Sequence, residues 1–466
     1  MQIKQLFAVL SVFVFGASFA SQAYAATAWP ANNTPRERTY VKDSVRKNLG
    51  QKNASLAAKY RSTMLDRFLK YTTYDSQSSD ATDMTPEQIE TAKKLYAEIQ
   101  KFGFKTTLSE HYYIYVEIPS NVNWQTPTLG FSCHYDTTPD IIGKNIKAQK
   151  IAKYDGKPIQ LKNGHTMTLE TDPYLKQMIG KTIVTSDGTT MLSADDKAGV
   201  SVIVTLIQTL AENPAKKHGK IQIVITPNED VGRSADYIEE TPYNPDLAFD
   251  FDGGVNGEVV VSNFNAEKVI YRVHGVNGHQ SMAAENGYRN AWKPACELGA
   301  ACAKDEWLPN NSRGQQGYVE LHHMDMGDGK VNVAELDFRL RDFRQQNIDD
   351  WKNYADKVAK EISAKYGVKI ERAIAKQYGN VAENIHPQAH QVVANALKNA
   401  GVTPNFKEER AGTTASMLML KLGKGAYTVF TGQNNPHAFT EWLSEEDMYK
   451  AYLVALNMTD EVVMMK

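Results

Sequence analysis

Cysteine is scarce in this chain. Three are present among 466 residues, Cys133, Cys296 and Cys302, and an odd trio offers no disulfide framework. Cys296 and Cys302, six apart on a helical pattern, are poorly placed to bond each other, so all three read as small buried filler. Charge of one sign is lacking too: 52 Lys and Arg stand against 54 Asp and Glu, a net charge of −2. That balance leaves no basic field for nucleic acid or anionic lipid. Beyond residue 25 no apolar run is long enough to cross a bilayer. There is no internal repeat and no low-complexity tract. With 42% hydrophobic and 23% charged residues, an ordinary soluble globular protein remains, and its length favours two domains.

The amino terminus is an exception to that polar texture. Lys4 precedes an apolar run from Leu6 to Ala20, and Ala23-Tyr24-Ala25 is a small-x-small cleavage site. Residues 1–25 are therefore expected to be a secretory signal peptide. The mature protein should begin near Ala26 and be exported, into the periplasm if the host is Gram-negative, with no membrane attachment. Residues 26–60 are polar and read as a linker or loosely held arm.

Strands and helices then alternate. Thr85-Pro86-Glu87-Gln88 is a helix start with a capping box, and apolar runs near 112–118, 128–134, 221–226, 247–251 and 426–431 read as strands. This rhythm predicts an α/β sheet with helices on both faces, formed by residues 61–262 and 377–466. Between them, 263–376 has alternating strands at Lys268–Val273 and Val331–Phe338 and helical patterns near 290–303 and 347–365. It reads as an inserted, smaller α+β lid.

Acids and histidines gather where those strands end. His134 closes one strand, and Asp136, two residues on, shares its face. Glu229-Asp230 follows 221–226, Asp252 follows 247–251, and His437 follows 426–431, with Glu441 four residues later. Asp195-Asp196 sits at the start of a strong helix over 197–212, where two adjacent carboxylates repel. Open α/β sheets place their sites past the carboxyl ends of strands. The set His134, Asp195, Asp230, Asp252 and His437 suits a pair of metal ions with Asp195 as bridge, leaving Glu229 free as general base. His386 and His390 lack a completing acid and are read as surface residues, and His322-His323 would point to opposite faces of a strand and cannot both serve one ion.

Several segments together carry a resemblance. His134-Tyr135-Asp136-Thr137-Thr138-Pro139-Asp140, Ala194-Asp195-Asp196-Lys197-Ala198-Gly199, Thr226-Pro227-Asn228-Glu229-Asp230-Val231-Gly232, Asp252-Gly253-Gly254 and Arg341-Asp342-Phe343 are similar to those of the dizinc exopeptidase family. That family includes tripeptide aminopeptidases, carboxypeptidase G and the aminoacylases. The likeness runs from about residue 64 to the C-terminus and is nearest to the tripeptide aminopeptidase branch.

The resemblance implies removal of the N-terminal residue from short peptides, with two zinc ions, or cobalt or manganese in their place. One metal would be held by His134, Asp195 and Asp252, the other by Asp195, Asp230 and His437. Asp136 would orient His134, and Glu229 would be the base. His279 would stabilise the oxyanion; in dimeric relatives it can come from the other subunit, so a homodimer through the lid is implied. Arg341 and Arg410 would bind the substrate carboxylate. For Arg341 a salt bridge within the sheet to Asp337 or Asp342 is an equal alternative. The chain departs from the family at Asp230, where relatives have Glu, at Gln280-Ser281, and at Thr414, where a carboxylate is lost. A carboxypeptidase or N-acyl amino acid deacylase is the alternative, and a peptide-binding protein without catalysis the more distant one.

Overall fold

The computed structural model describes residues 43–327 and 330–465; the expected signal peptide lies outside the described residues. The larger sheet has eight strands. From one edge they are Lys105–Leu108, Ile114–Ile118, Ile221–Thr226, Leu129–His134, Leu247–Gly253, Ala426–Phe430, Glu258–Asn263 and Asn405–Glu409. The central four, Ile221–Thr226 through Ala426–Phe430, run parallel to one another. Their carboxyl ends therefore open on the same side. These strands are buried along almost their whole length, as expected of a parallel sheet covered on both faces.

On one face lie the helices Arg61–Thr72, Pro86–Ile99, Ala194–Glu212, Ala389–Asn399 and Glu445–Val463, which share one core with the sheet. Thr414–Leu422 packs against the other face through Met417 and Leu418, beside Tyr113, Tyr115 and Val224. The expected capping box is present: Thr85 and Gln88 exchange hydrogen bonds at the start of Pro86–Ile99. Ser444 likewise accepts from the Asp447 amide at the start of the last helix.

The chain leaves the large sheet after Asn263 and builds a second one. Its four antiparallel strands are ordered Tyr318–Asp325, Val333–Asp342, Asn265–His274 and Lys369–Tyr378. The helices Trp292–Cys302 and Gln345–Tyr366 cover one face around Phe338, Trp351 and Leu298.

Two readings of the sequence are corrected. Residues 43–57, assigned to a loose arm, form a helix, Asp43–Ala57, that docks on the C-terminal helix. The buried positions are Gly50, Asn53 and Ala57, so there is no apolar stripe to detect. Asn53 instead donates to Asn457 at 2.8 Å and to Asp460 at 2.7 Å. Cys296 is exposed rather than filler, while Cys133 and Cys302 are buried.

Candidate metal centre

The site is assembled at the carboxyl ends of the four central strands. His134 is the last residue of its strand and fully buried. Its amide donates to Asp196 Oδ2 at 3.1 Å, and Asp196 Oδ1 takes the Gly199 amide at 3.0 Å. Asp196 is thus not only the acid of a helix start. It is a buried clamp joining strand to helix. Gly199 permits this, since a Cβ there would lie 1.9 Å from the Phe251 carbonyl oxygen. The Asp195–Asp196 peptide bond is cis.

Asp195 reaches to both sides. Its Oδ1 lies 3.0 Å from His134 Nε2 and its Oδ2 3.3 Å from His437 Nε2. Asp252 Oδ1 lies 3.6 Å from His134 Nε2, and Asp230 Oδ1 2.7 Å from His437 Nε2. Among the described residues three groups of three ligand atoms lie within 4.8 Å of one another: His134–Asp195–Asp252 and Asp195–Asp230–His437, which share Asp195, and His134–Asp136–Asp230. The two that share Asp195 are the sets the resemblance implies. Asp136 stands behind them: its Oδ1 lies 3.3 Å from His134 Nδ1 and also accepts the Glu229 amide at 3.0 Å. Its Oδ2 accepts the Asp230 amide at 3.2 Å.

The electrostatics call for cations. Burial, then repulsion from Asp195, pushes the carboxyls of Asp230 and Asp252 up to about 7. Glu229 is driven well above the carboxylate range by burial and by Asp252, Asp230 and Asp195, with His134 pulling the other way. Acids crowded out of water are costly unless paired or bound to metal. Asp230 Oδ2 is moreover buried with no hydrogen-bond partner. An all oxygen and nitrogen donor set with a free buried oxygen fits a pair of divalent ions. The shorter Asp230 still reaches His437, so this departure leaves the set intact.

The shared Asp195 is held by a residue whose role the sequence did not show. Glu441 is fully buried. Its Oε2 accepts the amides of Leu192 and Ser193, both at 2.7 Å, and its Oε1 the amide of Asp195 at 3.0 Å. Burial pushes this carboxyl up to about 7, against those three amides. Glu441→Gln would set an amide NH2 against backbone donors. Partners of this kind are typically worth about 10- to 100-fold in metal affinity. The expected result is that loss, at unchanged secondary structure, read by competition with a chromophoric chelator; parental affinity would remove Glu441 from the ligand scaffold.

Glu229, Asp230 and His437 open on a cavity of about 270 Å³ that Gln377, Tyr378, Gly412 and Met417 also line. The His437 side chain is 40% exposed whereas that of His134 is 0%. The Asp195–Asp230–His437 group therefore faces the cavity and the His134 group lies beneath it.

Residues 193–461 match the family described as Peptidase family M20/M25/M40. The chain belongs to this family. It is 36% identical over 399 residues to Peptidase T of Clostridium perfringens (strain 13 / Type A), covering 84% of this chain and 97% of that one. Among solved structures it resembles aminopeptidase PepT from Bacillus cereus ATCC 10987, with a TM-score of 0.66 at 18% identity over 86% of this chain and 99% of that one. The YXEP protein of Bacillus subtilis, described as a dinuclear metal binding peptidase, superposes with a TM-score of 0.61 at 13% identity over 87% of this chain and 99% of that one. A metallopeptidase with a mixed α/β sheet and a smaller antiparallel sheet, as expected, is what these relatives support.

Other expected residues lie elsewhere. His279 is exposed, bonds to Ser281 and Asn286, and is in none of the ligand groups. Arg341 forms neither alternative salt bridge: Asp337 pairs with Lys268 and Arg339. Its guanidinium instead lies 5.3 Å over the ring of Tyr378, behind the cavity wall. Arg410 donates to the carbonyls of Gly314 and Gln316 and to the Ser312 hydroxyl, so its donors are engaged with that loop. His386, His390, His322 and His323 belong to no metal-binding group among the described residues. Thr414 is buried and its hydroxyl has no partner. Near it the fully buried Asp250, which the sequence reading passed over, accepts from Ser132 at 2.6 Å.

Proposed function

We propose that the protein is a dizinc aminopeptidase that removes the first residue of short peptides, tripeptides foremost. The observation that carries this reading is the pair of ligand groups sharing Asp195, beside an acid, Glu229, that belongs to neither. Metal identity follows the donor chemistry: zinc, or cobalt or manganese, suits imidazole and carboxylate ligands. When bound, such a pair supplies Lewis-acid polarisation of the scissile carbonyl and acidifies water enough for a base to act near neutral pH.

The chain's own residues do the rest. Glu229 lies at the cavity mouth of the site, with Oε2 4.0 Å from His134 Nε2, and takes a proton from the attacking water. It then returns that proton to the departing amine. The peptide enters on the His437 side. Tyr378 and Gly412 close the cavity at a volume suited to a short peptide rather than a folded chain. Arg341 and Arg410 are assigned the substrate's terminal carboxylate, which requires Arg341 to reach past Tyr378 and Arg410 to be released from its loop. His279 would reach the oxyanion from the other subunit of a homodimer. Residues 1–25 support export of the mature chain.

The test is a substrate panel with mature protein, begun at Ala26, prepared without chelator and sized by light scattering. Release of the first residue from free tripeptides, dependent on added zinc and faster than from dipeptides, is expected. Turnover confined to N-acetylated peptides would move the function to a deacylase or carboxypeptidase.

A further inference from the structure

Outside the ligand sets, one segment touches three of the segments that carry the site. It runs from Tyr74 to Gln88. Lys197, two residues past Asp195, donates its buried Nζ to the Tyr74 carbonyl at 2.5 Å. Ser78 donates its amide and hydroxyl to the Thr137 carbonyl, and Gln77 Nε2 donates to the carbonyls of Thr138 and Ile141. At its end the segment meets the loop that carries Glu229.

Every donor in that last contact is a side-chain group. Asn228 has φ +59°, in the left-handed region, where Asn is tolerated but held only by its surroundings. Its Nδ2 donates to the Asp83 carbonyl at 2.5 Å, and its Oδ1 accepts from Gln88 Nε2 at 2.8 Å. Gln88 is fully buried. Its Oε1 accepts the Thr85 amide at 2.9 Å while its own amide donates to Thr85 Oγ1 at 3.2 Å. The capping box therefore fixes which end of the Gln88 amide faces Asn228, an orientation set by the hydrogen-bond network. On the far side the Arg233 amide donates to the Asn228 carbonyl at 2.8 Å, and the Arg233 guanidinium donates to the carbonyls of Ser79 and Thr82. The peptide after Asn228 ends on Asp136 Oδ1. With both neighbours pinned, the direction of the Glu229 side chain is set by the backbone of Asn228.

We propose that Gln88 and Asn228 are positioning residues for Glu229: the capping amide of a distant helix holds Asn228 left-handed and so aims the general base. The proposal rests on the assignment of Glu229 as base. A misplacement of about 1 Å can cost about 100-fold in rate, so the effect belongs in kcat rather than in substrate or metal binding.

The experiment compares Gln88→Met, Asn228→Gly and Asn228→Asp with the parent, as metal-loaded mature protein, on whichever peptide the parent hydrolyses. Glycine keeps the left-handed backbone accessible but removes both side-chain ties; aspartate keeps the acceptor for Gln88. The expected result is a fall of at least about tenfold in kcat for Gln88→Met and Asn228→Gly, KM within about twofold, two metals retained, and Asn228→Asp in between. If Gln88→Met does not fold, Gln88→Glu decides, since Glu preserves the capping box but presents no donor to Asn228. Parental kcat in Gln88→Met, or in Gln88→Glu, and in Asn228→Gly, with only the melting temperature lowered, would reduce both residues to a structural role. Failure of the parent on tripeptides would overturn the substrate reading, and the variant-to-parent ratio would still be read on the substrate it does cleave.

Discussion

Glu229→Gln is expected to lower kcat by about 1,000-fold or more, with KM and metal content close to parental. Glutamine has the same shape and can still occupy the space beside His134, but it cannot accept a proton from water or carry one to the leaving amine. General base and acid catalysis is typically worth about 100- to 10,000-fold, or about 3 to 5 kcal/mol of barrier. Because Glu229 belongs to neither of the two ligand groups that share Asp195, the change should not unload the site. Its amide bond to Asp136 Oδ1 is a backbone contact and survives the substitution. The measurement is single-turnover hydrolysis of a free tripeptide, paired with metal analysis of the same sample. Turnover within tenfold of the parent at full metal content would transfer the proton to another group. Glu229→Asp, with a shorter arm, should fall between the two.

The second large effect is expected at the bridge. Asp195→Asn leaves one oxygen where two are needed, since Oδ1 faces the His134 group and Oδ2 the His437 group. Metal content should drop from two per chain to one or none, and activity should fall below detection. His437→Ala gives the contrast. It should release the cavity-facing ion and keep the one beneath, because His134, Asp195 and Asp252 remain together. The same logic applies to removing metal from the parent. Cations that bind only the folded state stabilise it by about 2.7 kcal/mol at a free concentration one hundred times Kd. Chelation should therefore lower the melting temperature of the parent and leave that of Asp195→Asn nearly unmoved. Two metals retained in Asp195→Asn would show that Asp195 is not shared.

What could be read from the sequence was whatever repeats or recurs locally. The buried strands announced themselves as apolar runs, with His134, Glu229, Asp230, Asp252 and His437 just past them and Asp195 at a helix start, so the donor inventory followed from position and its division into two sets from the family resemblance. What could not be read depends on contacts between remote segments. Glu441 was visible only as an acid after His437; its three partners lie in the Leu192–Asp195 turn. Gln88 was visible as a capping residue, but not its reach to Asn228. The Asp43–Ala57 helix buries Gly50 and Asn53 rather than Leu or Ile, so a search for an apolar stripe passes over it. The strand Lys369–Tyr378 is exposed along most of its length and carries no alternation, although Gln377 and Tyr378 at its end form the cavity wall.

The order of the central strands has a consequence for biogenesis. Leu129–His134 sits in the middle of the sheet, yet the fourth of the central strands, Ala426–Phe430, comes from the last tenth of the chain. Synthesis runs from the amino end at about 5–20 residues per second. His134, Asp195, Glu229 and Asp252 are all made long before His437 and Glu441 exist. A nascent chain can thus hold one half of the cage but cannot close the other. Any chain that stops short of Ala426 is born without His437, and so without the complete Asp195–Asp230–His437 group.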